Sequence, residues 1–554
     1  MIRNLAKSRP RIRTPSEPLE DPLGATLAAI GAGLQAGDWQ TVFAEMDEAF
    51  AAGLRHPFLH RLRAVRGQQE GRLDEAIADF ESALEAAPGD SAILSALGLC
   101  LARHGRPAEG LARLDAALAI EPGFAPIHYN RGWALEALGA LAAARDAYER
   151  ALAVDAGHVA ALVALANLAQ RAGDWTGARS LAVRALALDS ASPTAITALA
   201  VAEAGLGDAA SADRRLRALT KDDGAPGHER AVALGALGDV LDQQGRYTEA
   251  FAAYASCGAL LQILYGGRIT ETALGMVERL TVAFRDADPS PWRRSAEVDA
   301  SGEAATHVFL LGFPRSGTTM LGQALANLPD AVTLDEHETL SDGMRDFLAT
   351  LGEKRRLAAI GPEDADRHRE AYWGRVRAAG VEPSGRVFID KLPMNTIALP
   401  LISKLFPDAK ILYLRRDPRD VVFSAFRRRF AIDATTVELL TLEHAARFYD
   451  AVMRLTETYR EVLDLTLRDQ SYEALVADFA SETRAICAFA GLGWSPSMAQ
   501  FAGRAGDVAT PSSAQIARGL NIESVGQWRR YVEHLAPVLP ILQPWADRFG
   551  YPSV

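Results

Sequence analysis

Cysteine is scarce in this chain of 554 residues, which contains three: Cys100, Cys257 and Cys487. They are far apart, and none has the paired spacing of a zinc site or of a redox motif. This scarcity argues against a disulfide framework and against a thiolate metal centre. We therefore expect three reduced thiols that serve as packing residues.

An excess of positive charge is also absent, since the formal net charge is −11. That balance argues against a protein that binds nucleic acid through phosphate contacts, although it leaves room for a local basic pocket. No uninterrupted apolar run approaches the roughly 18 to 20 residues of a membrane helix. The basic opening, Met1 to Arg13, lacks the apolar core of a secretory signal. We expect a cytoplasmic protein with a disordered tail over residues 1–22 and with neither a membrane nor a nucleic-acid partner.

What the first half does contain is a repeat. The pairs Leu97-Gly98, Arg131-Gly132 and Leu165-Ala166 follow one another at intervals of 34 residues. The interval and the small residues resemble the tetratricopeptide repeat, in which each unit is a pair of antiparallel helices that buries its apolar face against its neighbours. We predict an array over residues 23–264, with six units up to about residue 226 and a seventh after a short insertion. Glycine should mark the turn within each pair, as in Gly-Asp-Trp at 37–39 and 173–175, Gly-Arg at 71, 105 and 245, and Gly-Asp at 207.

Two functions of such an array stay open on the sequence. It can form a groove for a peptide or a partner chain, or it can be a scaffold that supports the second half of the chain or makes it a homodimer. His128, Tyr129 and Asn130 are candidates for the groove, although ordinary helix surface is the favoured interpretation.

The repeat ends in a helical stretch with a polar end that contains proline, Ala283 to Glu303. We predict a helical linker over residues 265–303 and a second domain over residues 304–554, because proline-containing polar segments are typical of domain boundaries.

The second domain opens with an apolar run and a glycine-rich loop, His307-Val-Phe-Leu-Leu-Gly-Phe-Pro-Arg-Ser-Gly-Thr-Thr319. Val308 to Leu311 has the length and branching of a buried strand. Gly312 and Gly317 allow a turn whose backbone N–H groups point at an anion before the next helix. The spacing fits a P-loop, except that Thr318 stands in place of the phosphate-binding lysine. That difference argues against a kinase-like phosphotransferase, and Arg315 supplies the positive charge instead.

The run Phe313 to Thr319 resembles the loop of sulfotransferases that binds the 5′-phosphosulfate of 3′-phosphoadenosine 5′-phosphosulfate (PAPS). It is similar to the loop in bacterial sulfotransferases with tetratricopeptide repeats and in tyrosylprotein sulfotransferases. The resemblance implies PAPS as co-substrate and no metal, because lysine and arginine supply the positive charge. It assigns donor binding to five loop residues, namely Arg315, Ser316, Gly317, Thr318 and Thr319.

An acceptor hydroxyl must lose its proton as it attacks sulfur, so a base is expected near the donor. The candidates lie in Asp335-Glu336-His337-Glu338. An ungapped count from Pro329-Asp330 places Glu336 on the glutamate base of the tyrosylprotein sulfotransferases. His337 and Glu338 stay open as alternatives, since small-molecule sulfotransferases use a histidine.

Positive charge recurs after the next two predicted strands. Lys391, in Asp-Lys-Leu-Pro, matches the family's lysine, whose charge stabilises the bridging oxygen of the leaving phosphate. Arg416 and Ser424, which follow the strand Lys410 to Leu414, match the 3′-phosphate contacts of the family, and Arg428 matches a further basic position. Asp417 is expected to cap the following helix.

Further along the chain, Ser471-Tyr-Glu-Ala-Leu-Val resembles a strand of the family, which implies that Tyr472 lies beside the nucleotide. Ala509-Thr-Pro-Ser-Ser and Ser524-Val-Gly-Gln-Trp resemble its closing motifs, which implies that Ser512 lies near the donor phosphates.

Strands that alternate with helices, with the anion loop at the end of a strand, predict a mostly parallel sheet with helices on both faces. The predicted fold is therefore an α-solenoid followed by a P-loop-like α/β domain. The predicted function is sulfuryl transfer from PAPS to an acceptor hydroxyl on a peptide tyrosine, a glycan or a small molecule. The alternative is an interaction scaffold with tetratricopeptide repeats, whose second domain binds a nucleotide without catalysis.

Overall fold

A computed structural model describes residues 22–293, 303–350, 353–500 and 524–553. The chain divides into two compact units, Met1–Ala161 and Leu162–Val554. The predicted tail, apart from Pro22, and Ser512 lie outside the described residues. The domain boundaries expected at residues 264 and 304 stay predictions.

The first unit consists of helices that pack as antiparallel pairs. These are α1 (Pro22–Ala36) with α2 (Trp39–Ala51), α3 (Pro57–Glu70) with α4 (Leu73–Ala86), α5 (Ser91–Arg103) with α6 (Pro107–Ile120), and α7 (Ala125–Ala137) with α8 (Leu141–Val154). Helix α9 (Val159–Arg171) contains the boundary between the units. The second unit continues with α10 (Trp175–Leu188), α11 (Pro193–Gly205), α12 (Ala209–Thr220), α13 (Gly227–Gln243) and α14 (Tyr247–Tyr265).

Each turn within a helix pair contains a glycine in the left-handed region. The φ angles lie between 72° and 91° at Gly37, Gly71, Gly105, Gly139, Gly173, Gly207 and Gly245. A residue with a Cβ rarely adopts such angles, so the turn selects glycine at that place in every unit. The predicted repeat interval and its turns are confirmed, and Gly139 is a turn that the sequence analysis did not single out.

Of the three candidate groove residues of α7, His128 is buried, and Tyr129 and Asn130 are half-buried. His128 is buried, and its Nε2 donates to the carbonyl of Pro122 at 2.8 Å. The Asn130 amide donates to Ser95 Oγ at 3.0 Å, and the Tyr129 ring lies 5.6 Å from that of Tyr148. The favoured interpretation as helix surface is therefore wrong for His128, whereas Tyr129 and Asn130 are half-buried and contact neighbouring helices.

Helix α14 and the turn that follows it, Tyr247–Arg268, are long and apolar enough to cross a membrane by length and composition alone. This segment is not an uninterrupted apolar run, since it includes Thr248, Glu249 and Gln262. Buried residues of α14 include Ala250, Tyr254 and Leu261, and the helix packs against α13. The core helix of a globular domain passes the same test.

Helix α15 (Ala273–Phe284) and the buried Trp292 follow the repeats. The Phe284 ring lies 5.1 Å from the Trp292 ring and 5.1 Å from that of Tyr459. One apolar core runs from α11–α14 through α15 to the carboxyl-terminal helices. The predicted linker therefore shares its core with the domain that follows.

A parallel sheet of five strands lies at the centre of the second domain. The strands are β1 (Thr306–Gly312), β2 (Ala331–Asp335), β3 (Val387–Lys391), β4 (Lys410–Arg415) and β5 (Thr466–Ser471), in the order β2-β3-β1-β4-β5. Successive residues of β1 pack on opposite sides, since Phe309 and Leu311 join one apolar core and Val308 and Leu310 join the other. Both faces are therefore covered, as expected for a parallel sheet.

The helices of this domain connect and cover the strands. They are α16 (Thr318–Ala326), α17 (Ser341–Phe347), α18 (Glu353–Ala358), α19 (Pro362–Ala378), α20 (Leu399–Leu405), α21 (Pro418–Phe426), α22 (Leu442–Val462), α23 (Tyr472–Ala477), α24 (Phe479–Ala490), α25 (Val532–Leu535) and α26 (Leu539–Arg548). The predicted fold class is confirmed. One assignment is corrected: Tyr472 begins helix α23 and does not lie in a strand, because β5 ends at Ser471, whose side chain caps the helix.

Candidate functional site

The glycine-rich loop connects β1 to α16 at the carboxyl edge of the sheet. Gly312 has φ 153°, and a Cβ there would lie 2.5 Å from the carbonyl oxygen of Leu414 on β4. Gly317 has φ 100°, and a Cβ there would lie 2.4 Å from the Tyr472 ring. Ser316, Thr318 and Thr319 are buried where α16 begins. The first N–H groups of a helix have no partner within it, so this loop has the geometry of an anion site.

Arg315 has φ 76°, and Glu336 is the other non-glycine residue with a positive φ among those described. Such residues are uncommon and are held by their surroundings. Arg315 Nε donates to Ser424 Oγ at 3.2 Å, and its carbonyl accepts from Arg416 Nη1 at 3.1 Å. The predicted residues of the loop and of α21 are therefore in direct contact.

Arg416 is anchored on three sides. Besides the Arg315 carbonyl, its guanidinium donates to the Ser524 carbonyl and lies 4.8 Å from the centre of the Tyr472 ring. Tyr472 and Ser524 share a hydrogen bond of 2.7 Å. Arg416 Nε has no hydrogen-bond partner among the described residues. A buried N–H without a partner is costly, so this one is available to an acceptor on a ligand.

Positive charge accumulates around the loop in an arginine cluster, formed by Arg315, Arg416, Arg427 and Arg428. Burial, together with the charges of Arg428, Arg416 and Arg427, holds the pKa of Arg315 well below its usual range. Arg428 Nε also has no partner among the described residues. Like charges at close range repel, and an anion between them removes that cost. The arrangement is suited to phosphate or sulfate groups, which guanidinium groups bind in a bidentate manner.

Lys391 is fully buried at the end of β3, and two carboxylates lie beside it. Its Nζ donates to Glu336 Oε1 at 2.8 Å and lies 3.5 Å from Asp335 Oδ1. Burial alone would lower the pKa of Lys391, but Asp335 and Glu336 outweigh burial and raise it. Lys391 is therefore a protonated, preorganised positive charge at the carboxyl edge of the sheet.

The structure separates the three candidate bases. The Glu336 side chain is 38% exposed, contacts Lys391 and acts electrostatically on Arg315, and its backbone N–H donates to the Lys391 carbonyl at 2.8 Å. His337 Nδ1 donates to the Asp335 carbonyl at 2.7 Å. Glu338 is exposed. Glu336 is the candidate that joins the lysine to the arginine cluster.

Several residues at the site were missed by sequence reasoning. Asp335 pairs with Lys391 and accepts from Gln323 Nε2 at 3.1 Å. Asp390 is buried on β3 and accepts from Thr339 Oγ1 and Tyr372 OH, both at 2.8 Å. Asp390 directly precedes Lys391 in Asp-Lys-Leu-Pro, and this position was the signal in the sequence that could have identified it. Nothing in the sequence pointed to Tyr372.

Asp417 and Asp420 hold the helix of the arginine cluster in place. Asp417 caps α21 and forms a bidentate pair with Arg419, at 2.9 and 2.8 Å. Asp420 accepts from the backbone of Gly526 at 2.6 Å and of Trp528 at 2.9 Å. Residues 524–531, called the closing segment below, are thereby held beside Arg416.

A five-stranded parallel sheet with an anion loop at its carboxyl edge and a lysine on the neighbouring strand defines a P-loop-like α/β domain. Residues 307–496 match the sulfotransferase family, and residues 68–133 and 125–158 match tetratricopeptide repeats. The chain thus joins a segment that matches tetratricopeptide repeats to one that matches the sulfotransferase family.

Two relatives show the range of similarity. An uncharacterized protein of Aquifex aeolicus is 25% identical over 352 residues, which are 61% of this chain and 45% of that protein. Protein-tyrosine sulfotransferase 2 of Gallus gallus is 26% identical over 270 residues, which are 44% of this chain and 72% of that protein. The match therefore spans less than half of the Aquifex protein. Among solved structures, the type IV pilus biogenesis factor PilW aligns with 39% of this chain and all of its own, with 22% identity and a TM-score of 0.34.

Proposed function

We propose that this protein transfers a sulfuryl group from PAPS to the hydroxyl of an acceptor. The observation that carries the proposal is the partly buried arginine cluster, with Arg315, Arg416 and Arg428 around a glycine-rich loop and Lys391 at the end of the neighbouring strand. The Nε atoms of Arg416 and Arg428, which have no partner among the described residues, fit the phosphate and sulfate groups of such a donor.

In this proposal the loop, from Arg315 to Thr319, holds the 5′-phosphosulfate. Arg416 and Ser424 hold the 3′-phosphate, Arg428 adds positive charge, and the Tyr472 ring lies beside the nucleotide. Ser512, outside the described residues, stays a prediction for the donor phosphates. Bound PAPS would supply a sulfuryl group on a phosphate leaving group.

Glu336 accepts the proton of the acceptor hydroxyl as the new S–O bond forms. The old S–O bond breaks and leaves its electron pair on the phosphate oxygen, where Lys391 stabilises the charge. Glu336 contacts Lys391 in this structure, so it must turn towards the acceptor to act as the base. Asp335, at 3.5 Å, then remains as the counter-ion that keeps Lys391 charged.

The acceptor presents an O–H group, as a peptide tyrosine, a glycan and a small metabolite all do. The similarity to protein-tyrosine sulfotransferases makes a peptide tyrosine the first acceptor to test. We also propose that the repeats recruit the acceptor or a partner chain, since stacked helix pairs of this type form binding surfaces.

The donor assignment is tested by thermal unfolding with adenosine 3′,5′-bisphosphate, the product of the donor. We expect the ligand to raise the melting temperature equally in EDTA and in magnesium, because only the folded state binds it. Arg416→Ala should weaken the binding by roughly 1.5 to 3 kcal/mol, the range for a hydrogen bond to a charged group. A magnesium-dependent shift with ATP, and none with the bisphosphate, would overturn the proposal.

A further inference from the structure

Helix α13 of the last repeat carries two carboxylates one turn apart, Asp239 and Asp242, which lie on the same face of the helix. Asp239 Oδ2 accepts from Arg429 Nη2 at 2.8 Å. Asp242 Oδ2 lies 3.6 Å from Arg427 Nη1. A repeat helix therefore holds two arginines that follow α21 of the sulfotransferase domain.

The surroundings of Asp239 are shaped to hold Arg429. A Cβ at Gly235, one turn earlier on α13, would lie 2.4 Å from Arg429 Nη1, so the arginine lies against the helix where glycine leaves room. Tyr254 OH of α14 donates to the other oxygen of Asp239 at 2.9 Å. Burial would raise the pKa of Asp239, but Arg429, Arg428 and Arg427 outweigh burial and lower it. Asp239 is therefore an ionised, fully engaged carboxylate.

Asp242 is held in a similar way. Tyr531 OH donates to Asp242 Oδ1, and Arg427 Nη2 donates to Gln527 Oε1 at 2.6 Å. Tyr531 and Gln527 belong to the closing segment that Asp420 fastens beside Arg416. One network thus joins α13, Arg427 and the closing segment.

Arg428 lies between the two anchored arginines. With Arg427 and Arg429 both held by α13, the backbone that carries Arg428 has little freedom. Among the neighbouring charges, that of Arg428 acts most strongly on Arg315 of the anion loop. The position of Arg428 relative to the loop therefore depends on the carboxylates of α13.

We infer that Asp239 and Asp242 are positioning residues of the anion site. Through them, the last repeat helps to shape the site that binds the donor. The inference rests on the proposed function, because it concerns affinity for the same donor. It predicts that changes on α13 alter donor binding although neither carboxylate touches the donor.

The test uses the full chain and adenosine 3′,5′-bisphosphate in calorimetry. Asp239→Asn and Asp242→Asn should each weaken the binding by roughly tenfold, as for residues coupled in one ionic network. The KM for the donor should rise in the same proportion while kcat at saturation stays within about twofold. Asp239→Glu, which keeps the charge, should recover most of the affinity.

Asp213→Asn is the matched control, because Asp213 pairs with Arg217 at 2.5 Å and with Arg246 at 2.7 Å, and neither arginine belongs to the arginine cluster. It should lower the melting temperature without changing the affinity. Wild-type affinity in both α13 variants would overturn the inference and leave these pairs a structural role. If Asp239→Asn does not fold, wild-type affinity in Asp242→Asn alone overturns it. If the wild-type protein does not bind the bisphosphate, that result would contradict the proposed function and also this inference, which depends on it.

Discussion

At the residue scale, variants of Glu336 and Lys391 distinguish effects on the chemical step from effects on donor binding. In the proposed mechanism both side chains act in the transition state, and other residues hold the donor. We expect Glu336→Gln and Lys391→Met each to lower kcat by roughly a hundredfold or more, with donor affinity nearly unchanged. Transfer of labelled sulfate in single-turnover mode measures this step, with folding checked by circular dichroism.

His337→Ala is the matched control for that experiment, since the side chain lies in the same segment and its Nδ1 bonds the backbone. It should change kcat by no more than a few-fold. If His337→Ala abolishes transfer while Glu336→Gln retains it, the base is the histidine. If neither variant matters, Glu338 becomes the candidate.

The buried Asp390 gives a prediction on pH. Burial raises the pKa of Asp390 to about 6, from the ordinary value of 3.8 that holds in the unfolded chain. Between these values the folded state binds more protons than the unfolded state, so this residue's contribution to stability falls as the pH rises. The amide introduced by Asp390→Asn does not titrate. As the pH rises from about 4 to about 7, the free energy of unfolding of this variant should therefore increase by about 1 to 3 kcal/mol relative to that of the wild type.

Urea unfolding at several pH values measures this change. Asp469→Asn on β5 is a control of opposite sign, because Arg460 and Arg415 outweigh burial and lower the pKa of Asp469. Its carboxylate contributes stability above the unfolded pKa, and that contribution is lost as the pH falls. Parallel pH profiles for wild type and Asp390→Asn would contradict the prediction.

At the element scale, the anion loop depends on two glycines, of which Gly317 faces the proposed ligand. Gly317→Ala would put a Cβ at φ 100° and 2.4 Å from the Tyr472 ring. The loop or the ring must move, so donor affinity should fall by roughly tenfold or more, as expected for backbone strain of a few kcal/mol. Calorimetry with adenosine 3′,5′-bisphosphate measures the loss.

Gly322→Ala, in the helix that follows the loop, is the matched control. A Cβ there would have its nearest contact at 3.7 Å, which is ordinary packing. It should leave the affinity unchanged and raise stability by up to ~1 kcal/mol, because alanine is the better helix former. Equal affinities in the two variants would show that the loop geometry does not control binding.

At the scale of the whole molecule, the last repeats, α11–α14, and the α/β domain that follows share one core. Apolar residues of α13, α14 and α15 pack in one cluster with Phe423 and Tyr459. A Cβ at Gly258 of α14 would lie 1.8 Å from the carbonyl oxygen of Leu440. A fragment of residues 304–554 would expose this core, so we expect it to be insoluble.

Residues 162–554 form a compact unit by themselves, and we expect this fragment to fold and to keep donor affinity. If the first unit recruits the acceptor, the fragment should lose affinity for the acceptor alone. Thermal unfolding and calorimetry on both fragments check these outcomes. A soluble 304–554 fragment with full donor affinity would contradict the shared core and the role of α13.

Much of the fold could be predicted because its signals are local. The interval of 34 residues, the glycines at the turns, and an apolar strand that ends in a glycine-rich loop all depend on neighbours along the chain. Lys391 and Arg416 could be singled out for the same reason, since each closes or follows an apolar run. The prediction of a strand at Tyr472 was wrong, because Ser471 caps a helix that begins at Tyr472.

The sequence by itself determined the repeat, the order of strands and helices, and the residue types that hold an anion. Only the tertiary structure decided which charges meet. In that structure Asp335 and Glu336 lie beside Lys391, and Asp239 of the last repeat contacts Arg429, which stands 190 positions later in the chain. Such pairs carry no local periodicity, and they form because stacked helices and a parallel sheet bring distant segments to one place.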